Sequence, residues 1–389
     1  MVTELAPAPI DLVIHSARLV TGGQVTTDAF VAISGDVIAA VGTGQEWAAL
    51  NAAETVNADG LTLTPGFIDI HGHGGNARSF DDGADSIRSA LEVHRSHGTT
   101  RSVLSLVTAT VDDLVDRVGT IADLAEADPT ILGSHLEGPF LDVARQGAHN
   151  AELLRAPDPE SIERLVTAAR GTLRQVTLAP ELPGGLDAIR QFADAGVTVA
   201  VGHTSVDFDG ALEAFEAGAS ILTHAFNAMN GIHHRAPGPV AAATSSPSVT
   251  LEIINDGVHV HPEVVRMAFA AAPGRIALIT DAMAAAGSDD GVYQLGSLSV
   301  TVTDGVARLT DGNSIAGSTL LLDEALRRAV SDVGIELTDA VTALTTTPAR
   351  AIGRSSDLGQ LAPGFVADAV LLDDDLAVVG VWAAGDRVA

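Results

Sequence analysis

The chain has 389 residues, more than twice the usual single-domain length, which one barrel with an attached small domain also accounts for. Its 21 basic and 50 acidic residues give a net charge of −29, so nucleic acid and anionic membrane are poor partners for a general electrostatic grip. Every basic residue is Arg and Cys is absent, which removes Schiff-base, phosphate-loop and metal-bridging carbamylated lysines, thiol catalysis, disulfides and thiolate metal sites.

No stretch approaches 18 consecutive apolar residues, and residues 1–15 lack the basic and then apolar run of a secretory signal. The sequence therefore reads as a soluble cytoplasmic protein. With 46% apolar but only 3% aromatic residues, the core must be built mainly from Ala, Val, Leu and Ile.

In chain order, short β-type runs at 12–14, 29–33 and 37–41 are separated by Gly-containing turns. From residue 61 onward, apolar strands alternate with helix-length segments, the mark of a parallel α/β architecture. Candidate strands lie at 67–70, 102–106, 131–134, 175–178, 198–201, 221–223, 251–254 and 276–279, with helices such as 86–96, 111–127, 159–169 and 208–217 between them. Eight such units predict a TIM-type (β/α)8 barrel. A β-hairpin follows at 293–309 with its turn near Asp304-Gly305, and helices at 320–333 and 338–352 close the barrel. The tail returns to β-type runs, expected to pair with the N-terminal segment. The predicted organisation is a small β-sandwich domain from 1–60 and 358–389, and a barrel domain from 61–357.

In such a barrel the C-terminal ends of the strands converge on one face, so the residues that end each strand are the informative ones. Strand one ends in His71-Gly72-His73, strand three in His135-Leu136-Glu137, strand five in Gly202-His203, strand six in Thr223-His224 and strand eight in Thr280-Asp281, while strand seven runs on to His259. The His-x-His spacing puts both imidazoles of strand one on the same side, where they can share a metal. Glu137, His203 and His224 form a two-His, one-carboxylate set that leaves a position for water, as catalytic zinc sites do. Asp281 would stand beside that water as general base and later protonate the leaving nitrogen.

Other polar residues have plainer readings. His94 and His97 read as surface residues of an outer helix and His15 as solvated. Glu181, after strand four, reads as a structural hydrogen-bonding group. His135 points to the same side as Glu137, which leaves open a role as ligand or as partner to a ligand. The run Asn230-Gly231-Ile232-His233-His234-Arg235 places three basic groups together in an acidic chain. Distant charges are screened beyond about 8 Å, so a near cluster can hold a phosphate, and Arg235 suits that group through two parallel hydrogen bonds. An exposed loop that pairs with nearby acids is the alternative.

The runs Pro65-Gly66-Phe67-Ile68-Asp69-Ile70-His71-Gly72-His73, His135-Leu136-Glu137-Gly138-Pro139-Phe140, Gly147-Ala148-His149-Asn150, His224-Ala225-Phe226-Asn227-Ala228-Met229, Asp256-Gly257-Val258-His259 and Thr280-Asp281-Ala282 together resemble the N-acetylglucosamine-6-phosphate deacetylase branch of the amidohydrolase superfamily. Relatives of the dihydroorotase and hydantoinase pattern use a carbamylated Lys, which this chain cannot supply. The resemblance covers nearly the whole chain. It implies metal-dependent removal of an N-acetyl group from an amino-sugar phosphate, with Glu137, His203 and His224 on the principal metal and Asp281 as acid and base. It further implies substrate contacts from Ala148, His149, Asn227, Ala228, His259 and Ile315, while His234 is a substrate-binding candidate from the basic run described above. Arg235 would reach the neighbouring site of a homodimer. The implied cofactor is a divalent metal, zinc first, with iron, manganese or cobalt as alternatives, in one or two ions; His71 and His73 would hold the second. Two other readings stay open: a deaminase or N-acyl amidase on a different small molecule, and a scaffold without activity.

Overall fold

The computed structural model describes residues 9–312 and 314–389, so residues 1–8 of the expected small domain lie outside the described part. Eight parallel strands form one sheet in sequential order: Phe67–Gly72, Thr99–Val107, Ile131–Glu137, Leu173–Leu178, Thr198–Val201, Ala219–Leu222, Thr250–Ile254 and Ile276–Ile279. Each of the eight predicted strands is present. The helices between them carry the expected signals. Thr110 caps Val111–Ala127 by accepting from the Asp113 amide at 3.2 Å, and Leu114, Val118 and Ile121 line its buried face. Asp158 likewise caps Pro159–Ala168, with Pro at the first helical position.

The first and last strands meet through side chains as well as backbone. Asp69 accepts from Thr280 Oγ1 at 2.6 Å, and the Asp281 amide donates to His71 O at 2.8 Å. Gly72 is required at this seam, because a Cβ there would stand 2.9 Å from Thr280 Oγ1. Closure thus brings the end of the last strand against the His71-Gly72-His73 run, two segments about 210 residues apart in the chain.

The N- and C-terminal strands join in a second, eight-stranded sheet. Leu12–Thr21 pairs with Gln24–Ser34, which pairs with Val37–Thr43, while Thr62–Pro65 bridges Leu12–Thr21 to the tail strand Ala369–Leu372. The expected pairing of the two ends of the chain is therefore present. This sheet continues to Pro65, past the boundary expected at residue 60, because Leu63 packs among its apolar residues. Alternate residues serve its two faces: Leu12 and Ile14 pack in one apolar cluster and Val13 in another.

Two elements depart from the sequence reading. The expected hairpin has three strands, Gly291–Leu295, Leu298–Thr303 and Val306–Leu309, because Gly296 at φ +55° makes a first turn ahead of that at Asp304-Gly305. The single helix expected at 338–352 is two, Leu337–Leu344 and Thr346–Ala351, since Pro348 has no N–H for an i−4 carbonyl.

A buried ion pair ties the two sheets together. Arg101, on the second barrel strand, donates to both carboxylate oxygens of Asp368 at 2.6 and 2.8 Å, and Asp368 also accepts from the Ala384 amide at 2.8 Å. Both residues are buried, so removing one partner strands the other's charge. Asp368→Ala is expected to destabilise the protein by about 3–5 kcal/mol, read as a lower midpoint in urea; an unchanged midpoint would count against this account.

Candidate metal centre and substrate cavity

At the C-terminal ends of the barrel strands, Glu137 is the hub. Its Oε1 lies 3.2 Å from His203 Nε2 and 3.0 Å from His224 Nε2, and the two nitrogens are 3.0 Å apart. Three donors at the corners of so even a triangle match one face of a tetrahedral site, whose edge for bonds of 2.0–2.1 Å is about 3.3 Å. His73 Nε2 lies 3.1 Å from Glu137 Oε2 and 3.3 Å from Asp281 Oδ1, and His71 Nε2 lies 3.5 and 3.6 Å from the same two carboxylates. His71, His73, Glu137 and Asp281 form one buried group of donors, and Glu137, His149 and His203 another. His71 Nε2 is buried and has no hydrogen-bond partner among the described residues, which fits a metal-ligating atom. The set is nitrogen and carboxylate oxygen throughout, and it fits a divalent metal.

The outer partners fix which nitrogen faces the centre. His71 Nδ1 lies 3.0 Å from Glu252 Oε2, and His203 Nδ1 lies 2.8 Å from Arg145 O, so each presents Nε2 inward. Glu252 is fully buried on the seventh strand and also accepts from Gln175 Nε2 at 2.8 Å and the His224 amide at 3.2 Å. The sequence reading missed this residue, although an acid inside the apolar run Leu251-Glu252-Ile253 was a readable signal. Glu252→Gln is expected to weaken metal affinity about 10- to 100-fold, measured by competition with a fluorescent chelator. Wild-type affinity in that variant would mean that His71 needs no carboxylate behind it.

Charge and burial act in opposite directions here. Burial disfavours ionised Glu137, but the surrounding imidazoles, His71 foremost, hold its pKa well below the usual carboxylate range. Asp281 follows the same pattern: burial pushes it up, and the hydrogen bond from His73 with the charge of His71 brings it below its ordinary value. It is thus an ionised carboxylate at neutral pH. His203, His224 and Asp281 have φ of +47°, +27° and +47°, sparsely populated values that non-glycine residues keep where the surroundings hold them.

Beside the donors is a cavity of about 400 Å³, within the usual range for small-ligand sites. It is lined by Ala148, His149, Asn227, Ala228, His259 and Ile315, six of the predicted substrate residues, together with Glu137, His203, His224 and Asp281. Burial lowers the His149 pKa to about 4, so the ring is neutral, with Nδ1 2.9 Å from Thr108 Oγ1. His259 sits in a turn after the seventh strand ends at Ile254. Burial disfavours its charge, but Asp256, 2.6 Å from its Nδ1, outweighs burial and raises its pKa. His234 and Arg235 are exposed on a loop closed by the amide of Ala236 donating to His233 O, and neither lines the cavity of its own chain.

Three plainer readings are also resolved. His135 is held between Ser105 Oγ and Thr177 Oγ1, 2.8 Å from each, and both nitrogens are taken up away from the donor group. Glu181 accepts from Thr204 Oγ1 and from the Ser205 amide, both at 2.5 Å, a structural role. His94 is not a surface residue: it is 3% exposed, with Nε2 2.9 Å from Gly74 O, because its helix packs on the strap that follows His73. His97 is partly exposed and pairs with Asp323 at 3.0 Å.

The sequence model of the amidohydrolase family matches residues 62–388. The chain is 38% identical to the N-acetylgalactosamine-6-phosphate deacetylase of Escherichia coli O157:H7 over 84% of this chain and 88% of that protein. It is 33% identical to the N-acetylglucosamine-6-phosphate deacetylase of Bacillus subtilis (strain 168) over 95% and 94% respectively. Among solved structures, a variant of the N-acetyl-D-glucosamine-6-phosphate deacetylase of Mycobacterium smegmatis, in complex with N-acetyl-D-glucosamine 6-phosphate, superposes with a TM-score of 0.92 at 42% identity, covering 97% of this chain and 99% of that one. No helix among the described residues is long and apolar enough to cross a membrane.

Proposed function

We propose that this chain, which belongs to the amidohydrolase family, hydrolyses the N-acetyl group of N-acetylglucosamine 6-phosphate, giving glucosamine 6-phosphate and acetate. The observation that carries this reading is the convergence of Glu137, His203 and His224 with the ionised Asp281 in a cavity sized for one sugar. Glu137, His203 and His224 would hold the principal ion, and His71 and His73, with Glu137 and Asp281, would hold a second. Zinc suits the nitrogen and oxygen donor set, with iron, manganese or cobalt as alternatives. A bound divalent ion polarises the acetyl carbonyl and makes water more acidic.

The protein's own groups then move the protons. Asp281 takes a proton from water as the water oxygen bonds to the acetyl carbon. When the C–N bond breaks, the same carboxyl returns that proton to the leaving nitrogen, so amine and acetate form with no net change in the protein. His149, neutral and buried, directs an imidazole at the acetyl side of the cavity, and Ile315 closes over the methyl group. Ala148, Asn227, Ala228 and His259 hold the sugar. Arg235 and His234 are exposed and do not line their own cavity, which supports a homodimer in which they reach the partner's phosphate. A doubly charged sugar phosphate does not cross membranes unaided, which supports a cytoplasmic location.

A second reading, N-acetylgalactosamine 6-phosphate as substrate, is favoured by the 38% identity to a deacetylase of that name. The deciding experiment measures acetate release by zinc-loaded or iron-loaded protein from both phosphorylated sugars and from unphosphorylated N-acetylglucosamine. Preference for a phosphorylated sugar is the expected result, and the faster epimer names the substrate. No release from any of the three would return the substrate to the wider family.

A further inference from the structure

The catalytic cavity contains a cation that the roles above leave unused. Arg145 lies on the loop after the third barrel strand and lines the cavity with Glu137, His203 and His259. Acidic residues outnumber basic ones by more than two to one, yet the hydrogen bonds of the Arg145 side chain among the described residues go to Asn230 and Ser205 and to no carboxylate. Its Nη2 donates to Asn230 Oδ1 at 2.5 Å and its Nε to Ser205 Oγ at 3.3 Å. Both partners are neutral. Asn230 is itself fixed, its Nδ2 donating to Ser205 O at 2.8 Å and to Val206 O at 3.1 Å. The guanidinium is thus held in place, and three of its five N–H bonds have no hydrogen-bond partner among the described residues.

We propose that Arg145 is a specificity-determining residue that recognises the substrate's phosphate from within the same chain. A half-buried guanidinium without a counter-ion is matched best by an anion from the ligand, and a phosphate accepts its fork of N–H groups in parallel. The backbone carbonyl of Arg145 accepts from His203 Nδ1, so the main chain of this residue is anchored to the donor group, while Asn230 and Ser205 hold its side chain. His259, whose charge is favoured by Asp256, lines the same cavity and adds to the field there. Arg145 would grip the phosphate without a second subunit, unlike Arg235. This inference rests on the deacetylase reading for its substrate.

The test uses Arg145→Gln, which keeps a hydrogen-bonding group and removes the charge, Arg145→Lys, which keeps the charge and loses the fork, and Arg235→Ala as a comparison. In Arg145→Gln, KM for the phosphorylated sugar is expected to rise about 10- to 100-fold. The ratio of kcat/KM between phosphorylated and unphosphorylated sugar should fall by a similar factor. Arg145→Lys should recover part of the loss. Calorimetry with glucosamine 6-phosphate and with inorganic phosphate reads the same loss of affinity without turnover, so Arg145 is tested even if wild-type protein releases no acetate. A wild type that binds phosphate but does not deacetylate would sink the reaction and keep the residue assignment. Equal losses on both sugars would make Arg145 a structural support of His203 and the 230–235 loop, and unchanged phosphate affinity would make it irrelevant; either result overturns the proposal.

Discussion

Asp281→Asn is expected to lower kcat by about 10²- to 10⁴-fold while at least one metal ion per chain stays bound. Asparagine has the shape of the carboxylate and tolerates the left-handed backbone that Asp281 adopts at φ +47°, so the variant should keep its fold. The backbone bonds of residue 281 do not involve the side chain: its amide donates to His71 O and its carbonyl accepts from the Ser318 amide. What is lost is the base. An amide cannot take the proton of water, nor return one to the leaving nitrogen. The Glu137, His203 and His224 triangle does not contain Asp281, so metal on that set should survive. Stopped assays for acetate beside elemental analysis of the same sample give both numbers. Turnover near wild type would refute the role of Asp281, and loss of all metal would show it to be a ligand first.

Glu137→Gln is expected to do the opposite and empty the site. Five imidazoles, those of His71, His73, His149, His203 and His224, approach this one carboxylate within 3.0 to 3.5 Å. Removing its charge takes away the anionic member shared by both donor groups, and the amide's two N–H bonds compete for lone pairs a metal needs. Metal content after gel filtration should fall well below one ion per chain, and activity should fall by about 10³-fold or more, the scale of losing metal-assisted catalysis. Binding only to the folded state stabilises it by mass action, so added zinc should raise the melting temperature of wild type and leave the variant unmoved. Stoichiometric metal in the variant would refute Glu137 as the hub.

Much of this site was legible in the residues. The alternation of apolar strands with amphipathic helices named the barrel, and the rule that strand ends converge turned His71, His73, Glu137, His203, His224 and Asp281 from scattered polar residues into one group. The structure brings all six together. Cavity residues such as Ala148, Asn227 and Ile315 carry no chemical signal of their own. They were legible only through family resemblance, since an alanine that lines a cavity and one that packs a core read alike.

The sequence by itself determined the order and type of the barrel strands and the kinds of ligand atom, because periodicity and strand ends are local properties. Tertiary structure alone decided which polar groups stand behind others. Glu252 behind His71, His135 drawn off between Ser105 and Thr177, and His94 buried against Gly74 depend on how neighbouring strands are staggered and where a helix lands. Arg145 depends on the path of a loop, which no residue pattern encodes. Even the backbone of His203, His224 and Asp281 follows this division: each adopts a positive φ that its own preferences oppose, and only packing around a closed barrel sustains it.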